Sequence, residues 1–413
     1  MSAAIPNMVP VDRSVPATGP ELLQRSAPSG SRPASLPALT GMRAFFSLNI
    51  LFFHFNNPRD FGFLAPAVSN GYIGVTFFFL LSGFVLGYNY GERAEAGQMP
   101  ALPFYKSRFA RLYPIYLLGL LISVPVLWAE WTAHTHTDFW LGLILTPLML
   151  QGWHPTLMNF WNTPAWTLSC EVMFYLMLPW LLARAWPRKL SRVIWLMALM
   201  WLLALSIPAL YYLKLPDGIA HPDRYTYAFW VRGVRMWPVT HLPIFIYGIL
   251  LSRVQRFWRP RPRTQLCMAI AGVILLFVAY ESGERLPYLF AHNGLLAPIS
   301  SLLILGMSGK HWLSRIFGWK PLVQFGMASY ALYLLHFNTW IWLHRAPFMQ
   351  HGILQRCDPW FSYAFIAAIA FAASVWIEKP GRRLMERMLG IARPRKAEAH
   401  SHAVSTVARQ GVS

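Results

Sequence analysis

"LTGMRAFFSLNILFFHF", residues 39–55, decides the fold. The stretch reads as the first part of a membrane-spanning helix built from Leu, Ile and Phe, yet it carries Arg43 near one end and His54 near the other. An ionisable group in hydrocarbon costs about 3 kcal/mol or more unless a partner answers it. Eleven residues of α-helix make three turns plus about 20°, so both side chains share one face. The rise between them is ~16 Å, about half the hydrocarbon thickness. Arg43 alone also reads as an interfacial anchor whose stem snorkels to the surface, and His54 as a structural hydrogen-bonding residue between helices.

The rest of the 413-residue chain carries the same signal. It is 55% hydrophobic and only 13% charged, where a soluble domain carries about 25% charged residues. Long apolar runs separated by basic clusters predict an all-α polytopic membrane bundle. Spans are expected near 42–57, 71–90, 113–130, 165–183, 191–213, 239–252, 264–280, 290–307, 322–344 and 360–378, ten in all. The run "DFWLGLILTPLMLQ", 138–151, is short and holds a proline, which favours a re-entrant or interfacial segment over a crossing.

Charge placement supplies the orientation. With the N-terminus cytosolic and 138–151 not crossing, 28 of the 36 Lys and Arg residues fall on the cytosolic side, as the positive-inside rule requires. Both termini are then cytosolic. Residues 1–38, rich in Pro, Ser, Ala and Gly, read as a disordered tail without a secretory signal. Residues 39–388 form the membrane domain, and 389–413 a basic disordered tail. The net charge of +20 is therefore mostly a cytoplasmic-face signal that attracts anionic lipid and phosphorylated ligands, and it does not point to nucleic acid.

Cys170, Cys267 and Cys357 are too dispersed for a disulfide framework or a metal site, and the H-x-H of His134 and His136 lacks further ligands.

Other polar residues lie where topology does not need them. In "FYKSRFARLYPIY", 104–116, Arg108 and Arg111 are three apart on one helix face. Two guanidiniums there suit a phosphate, or serve topology alone. In "NTPAWTLSCEVMFYLMLPW", 162–180, Thr163-Pro164 reads as a helix start, Trp166 as an interfacial aromatic, and Glu171 as a buried carboxylate in need of a partner. It either orients a histidine or is structural. In "FGMASYALYLLHFNTW", 325–340, His336 again lies inside a span, with Tyr330 and Tyr333 as i,i+3 neighbours. The glycines of "NGYIGVTFFFLLSGFVLGY", 70–88, allow close helix approach.

Together the Arg43–His54 helix, "GYIGVTFFFLLSGFVLGY", "RFAR", "WTLSCEVMFY", "SYALYLLHF" and "IEKPGRR" run in order over roughly 37–388. In these pieces the chain resembles the acyltransferase-3 family of integral membrane proteins, which move acyl groups onto sugars at the far side of a membrane. The resemblance implies a bacterial cytoplasmic-membrane O-acyltransferase, with acetyl-CoA or another acyl-CoA as donor substrate and no permanently bound cofactor. An exported or surface carbohydrate is the implied acceptor, with polysaccharide export machinery as an expected partner. His54 would be the catalytic base or a transient acyl carrier, with Glu171 supporting the histidine or the acceptor end. Arg43, Arg108 and Arg111 would engage the donor, and Trp166, Ser169, Tyr330 and His336 the acceptor. One departure is visible: the family's second span often has an acidic residue after its "GV", and Thr76 stands there. Some relatives carry an appended hydrolase-like domain; about 30 residues after the basic cluster are too few for one, so this chain is expected to deliver the acyl group alone.

A sugar or lipid-intermediate exporter remains the alternative from another class. It predicts two related halves, and the Arg43–His54 pattern has no second copy in the chain. The aromatic stretch 213–238, with Tyr225, Tyr227, Trp230 and Trp237, suits either a sugar or a membrane interface.

Overall fold

The computed structural model describes residues 35–184, 187–349 and 351–391. Most of the two expected tails lies outside them; of those tails, Pro37 already opens the first helix, and 389–391 simply follow the last one. Every long element among the described residues is helical, and none is a strand.

Ten helices carry the architecture: α1 Pro37–Phe55, α2 Ile73–Glu95, α3 Ala101–Ile122, α4 Trp166–Arg184, α5 Leu190–Lys214, α6 Pro238–Phe257, α7 Pro262–Glu281, α8 Ala297–Met307, α9 Ser329–Arg345 and α10 Trp360–Ala373. Several start with proline in the first turn, α1, α6, α7 and α8 among them. There the missing N–H costs nothing and the fixed φ suits the helix.

Eight helical stretches are long and apolar enough to cross a membrane, nine if a bent pair is taken as one span, against the ten expected. The bent pair is α3 with Val124–Ala133, which turns by 51°. The helix restarts there at the Val124-Pro125 step. The tenth, expected over 322–344, is split at Ala328 into Lys320–Met327 and the 17-residue α9. At 138–151 the helix His136–Leu145 has ten residues; at ~1.5 Å per residue it is too short to cross.

Burial separates the centre from the rim. The stretch Phe229–Phe257 buries 78% of its apolar window, whereas α5 and α7 bury 17% and 22% and turn apolar side chains to lipid. The centre is pinned where α2 crosses α6. A Cβ added to Gly83 would lie 2.1 Å from the Phe245 carbonyl oxygen, and one added to Gly248 would lie 2.1 Å from that of Leu80. A glycine on each helix lets the two backbones meet this closely.

Candidate active site

Arg43 and His54 both turn towards α9. Arg43 Nε donates to Ser329 Oγ at 3.2 Å, and the His54 ring meets His336. Ser329 and His336 are seven residues apart, two turns less about 20°, so they too share one face. The two helices therefore run side by side in the same direction. The rise on α9 is ~10 Å against ~16 Å on α1, and the long arm of Arg43 spans the difference.

The three expected arginines meet in the interior. Arg108 donates to Tyr90 Oη at 3.1 Å and packs over the Phe104 and Tyr175 rings at 5.4 and 6.0 Å. Arg43 lies over Phe78 at 5.9 Å. Arg111 interacts electrostatically with Tyr175, Glu171, Glu378 and Tyr330. Glu171 accepts from Tyr175 Oη at 3.0 Å and is held by the charges of Arg111, Arg43 and Arg108. Three guanidiniums thus gather around two carboxyl groups, Glu171 and Glu378. Each of these side chains is partly buried.

Of the readings open to Glu171, the structure favours a paired carboxyl over a partner of His54. It belongs to the arginine cluster, and the polar partners of His54 are elsewhere: Ile50 O at 2.9 Å and His336 Nε2 at 3.2 Å, both from His54 Nδ1. Three arginines in a low-dielectric interior need countercharge more than a neutral imidazole does.

The histidine pair fixes its own protons. His336 Nδ1 lies 3.1 Å from Leu332 O and 2.7 Å from Tyr333 O, both acceptors, so it carries the hydrogen. In the neutral ring Nε2 of His336 is then a lone pair. His54 Nδ1 faces that lone pair and a carbonyl, so it donates, leaving the lone pair of His54 on Nε2. His336 is 1% exposed; it supports His54 from behind.

The remaining expected residues are mostly packed. Trp166 is 5% exposed and lies among Phe79, His241 and His292, inside the bundle rather than at an interface. Helical turns begin one step earlier than the Thr163 cap predicted, at the 3-10 turn Thr163–Ala165. Ser169 is fully buried, and its hydroxyl accepts from Gly152 N–H at 3.0 Å. Tyr330 Oη donates to Leu112 O at 2.9 Å, tying α9 to α3. Thr76, at the departing position, donates to His292 O at 2.6 Å, a bond an ionised acid could not make.

Several participants had not been singled out. Glu378 stands in a one-turn π-helix, Ser374–Glu378, between α10 and the helix Lys379–Met388. The wider turn brings it to Arg111, and such turns gather at functional sites. Its signal was present in "IEKPGRR", masked by the surrounding basic residues. Arg224, from the segment between α5 and α6, donates to Phe53 O at 3.4 Å, next to His54. Buried Arg235, His241 and His292 form a second polar group, with His241 Nε2 2.8 Å from Arg235 O. No periodicity in the sequence marks them.

The family model for the acyltransferase domain of the acyltransferase-3 type matches residues 36–379. The acyltransferase MdmB of Streptomyces mycarofaciens is 29% identical over 361 residues, covering 83% of this chain and 87% of that protein. The peptidoglycan O-acetyltransferase OatA of Listeria monocytogenes is 24% identical over 337 residues, covering 73% of this chain and 49% of its own. The O-acetyltransferase OatA of Staphylococcus aureus is 22% identical over 335 residues, covering 74% and 50%. The chain thus spans about half the length of the OatA proteins it matches. No solved structure matches.

Proposed function

Because the chain belongs to the acyltransferase-3 family of integral membrane acyltransferases, we propose that it moves an acyl group, acetyl first among candidates, from cytosolic acyl-CoA to a hydroxyl of an exported or surface carbohydrate. The observation that carries the reading is the free Nε2 lone pair of His54, held by His336 at one end of a helix face whose other end reaches the arginine cluster.

Acyl-CoA enters from the end of the bundle where α1 begins, the cytosolic end by its Lys and Arg content. With Glu171 and Glu378 among the arginines, the unpartnered Arg108 Nε remains for an anionic donor, rather than three free guanidiniums. At the far end the acceptor hydroxyl meets His54. Nε2 takes its proton as the oxygen bonds to the thioester carbonyl carbon. The tetrahedral adduct collapses, the C–S bond breaks, and the coenzyme A thiolate leaves with the proton from His54. General-base assistance of this kind contributes ~10²–10⁴-fold. The exporter alternative draws no support from relatives that are named acyltransferases.

The test is proton NMR of the surface carbohydrate from producing cells carrying the intact gene, its deletion, or a stably expressed His54→Ala version. An O-acyl signal restricted to the intact gene supports transfer through His54. A signal that survives His54→Ala overturns the base assignment, and one that survives deletion overturns the acceptor.

A further inference from the structure

At the His54 end of the bundle lies a cavity of about 820 Å³, in the upper part of the roughly 300–1,000 Å³ range of ligand pockets. Its walls come from four places distant in sequence: the segment 58–72 before α2, the end of α5, the segment 220–225, and the segment 283–290. Two aromatic pairs face it. Tyr72 and Tyr288 lie 4.9 Å apart between ring centroids, and Tyr212 stacks on Phe290 at 5.7 Å with planes 1° apart.

The cavity is held in shape from below. Arg235, 4% exposed, donates through one nitrogen to Arg224 O at 3.1 Å and Tyr288 Oη at 3.3 Å. The Tyr72 ring stacks on His292 at 5.7 Å and 12°. A buried guanidinium is costly unless its bonds are made, so these residues define the wall before any ligand arrives. The charged groups at the rim balance: Arg224 and Arg285 against Asp223 and Glu284. Asp223 spends one oxygen on Tyr225 N–H and Thr226 Oγ1, bending the segment over the cavity.

Its inner end abuts the catalytic candidate. Arg224 donates to Phe53 O and lies over the Phe53 ring at 5.2 Å, and Tyr72 meets the same ring at 5.7 Å. Phe53 precedes His54, and their rings are 5.0 Å apart.

Resting on the acyltransferase reading, we infer that this cavity is the acceptor site and takes a neutral, polyhydroxylated glycan of more than one sugar residue. Flat aromatic faces receive the apolar faces of sugar rings. Tyrosine hydroxyls and rim side chains take their hydroxyls. A balanced charge set favours a neutral ligand over an anion. Arg224 and Phe53 stand between the cavity and His54, so the Arg224 side chain swings off Phe53 for the reacting hydroxyl to reach the imidazole.

The test uses the full chain in nanodiscs with radiolabelled acetyl-CoA, and two acceptor probes: the de-O-acylated surface polysaccharide of the producing cell, and octanol. Tyr212→Ala together with Tyr225→Ala should raise the polysaccharide KM at least tenfold and leave the acetyl-CoA KM unchanged. Tyr225→Ala alone, at an exposed position, gives the same direction if the double variant folds poorly, as read from its thermal midpoint. An unchanged polysaccharide KM in both variants overturns the acceptor site while the acyltransferase reading stands. Transfer by the wild type to octanol alone overturns the glycan inference and leaves acyl transfer intact. Transfer to neither probe overturns both.

Discussion

His54 Nδ1 and His336 Nε2 lie 3.2 Å apart, and in the neutral pair a single proton stands between them. Two carbonyls claim the other nitrogen of His336, so that proton belongs to His54. His336→Ala should therefore lower kcat about 10- to 100-fold, less than His54→Ala, whose loss is that of a general base, ~10²–10⁴-fold. The donor KM should not move. His336→Gln, whose amide oxygen can accept from Nδ1, should restore part of the rate. Steady-state kinetics on purified protein check this, and wild-type kcat in His336→Ala would sink the relay.

The arginine cluster makes a prediction about stability. Glu171→Gln leaves three guanidiniums with Glu378 alone, and should cost about 3 kcal/mol, the low end for breaking a buried pair. Removing a positive charge as well, with Arg111→Met, should recover part of that loss. The readout is the thermal midpoint of the single and double variants in detergent; a double variant less stable than Glu171→Gln would show that the charges do not compensate one another.

Tyr330 was expected to touch the acceptor, and its hydroxyl instead bridges α9 to Leu112 O. Tyr330→Phe should cost about 1 kcal/mol, the net worth of one such bond, with the acceptor KM unchanged. A rise in acceptor KM without loss of stability would return Tyr330 to the binding site.

The α2–α6 crossing predicts its own intolerance. Gly83→Ala puts a methyl 2.1 Å from a backbone oxygen, which no rotamer change relieves. The loss should exceed the 1–3 kcal/mol of ordinary overpacking and appear as low abundance in membranes. Normal abundance and thermal midpoint would mean the two backbones are further apart.

Much of this fold was legible because bilayer thickness imposes a length on every apolar run. The boundaries of α5 and α7 follow from hydropathy and proline alone, whereas 322–344 did not, because the break at Ala328 leaves composition unchanged. There Gly326 presses against α1, where an added Cβ would meet Thr40 O at 1.9 Å. Within the site, Arg43, His54, Arg108, Arg111 and Glu171 stood out as charges the membrane must justify. Which of them meet was not legible. Helical spacing puts Arg43 and His54 on one face but does not say which helix that face meets, nor that Glu171 stands with the arginines. Arg224 and Arg235 looked like ordinary basic residues of an exterior segment, since only the folded chain brings them beside Phe53 and Tyr288.

The reciprocal contact of Gly83 and Gly248 also restricts how the molecule can move. Where helices are separated by side chains, a change of rotamer lets one helix slide past its neighbour in shear. At this crossing main chain meets main chain, so α2 and α6 travel as a single rigid strut. The α1–α9 contact is of another kind: an arginine arm and an imidazole pair are its connectors, and both can swing.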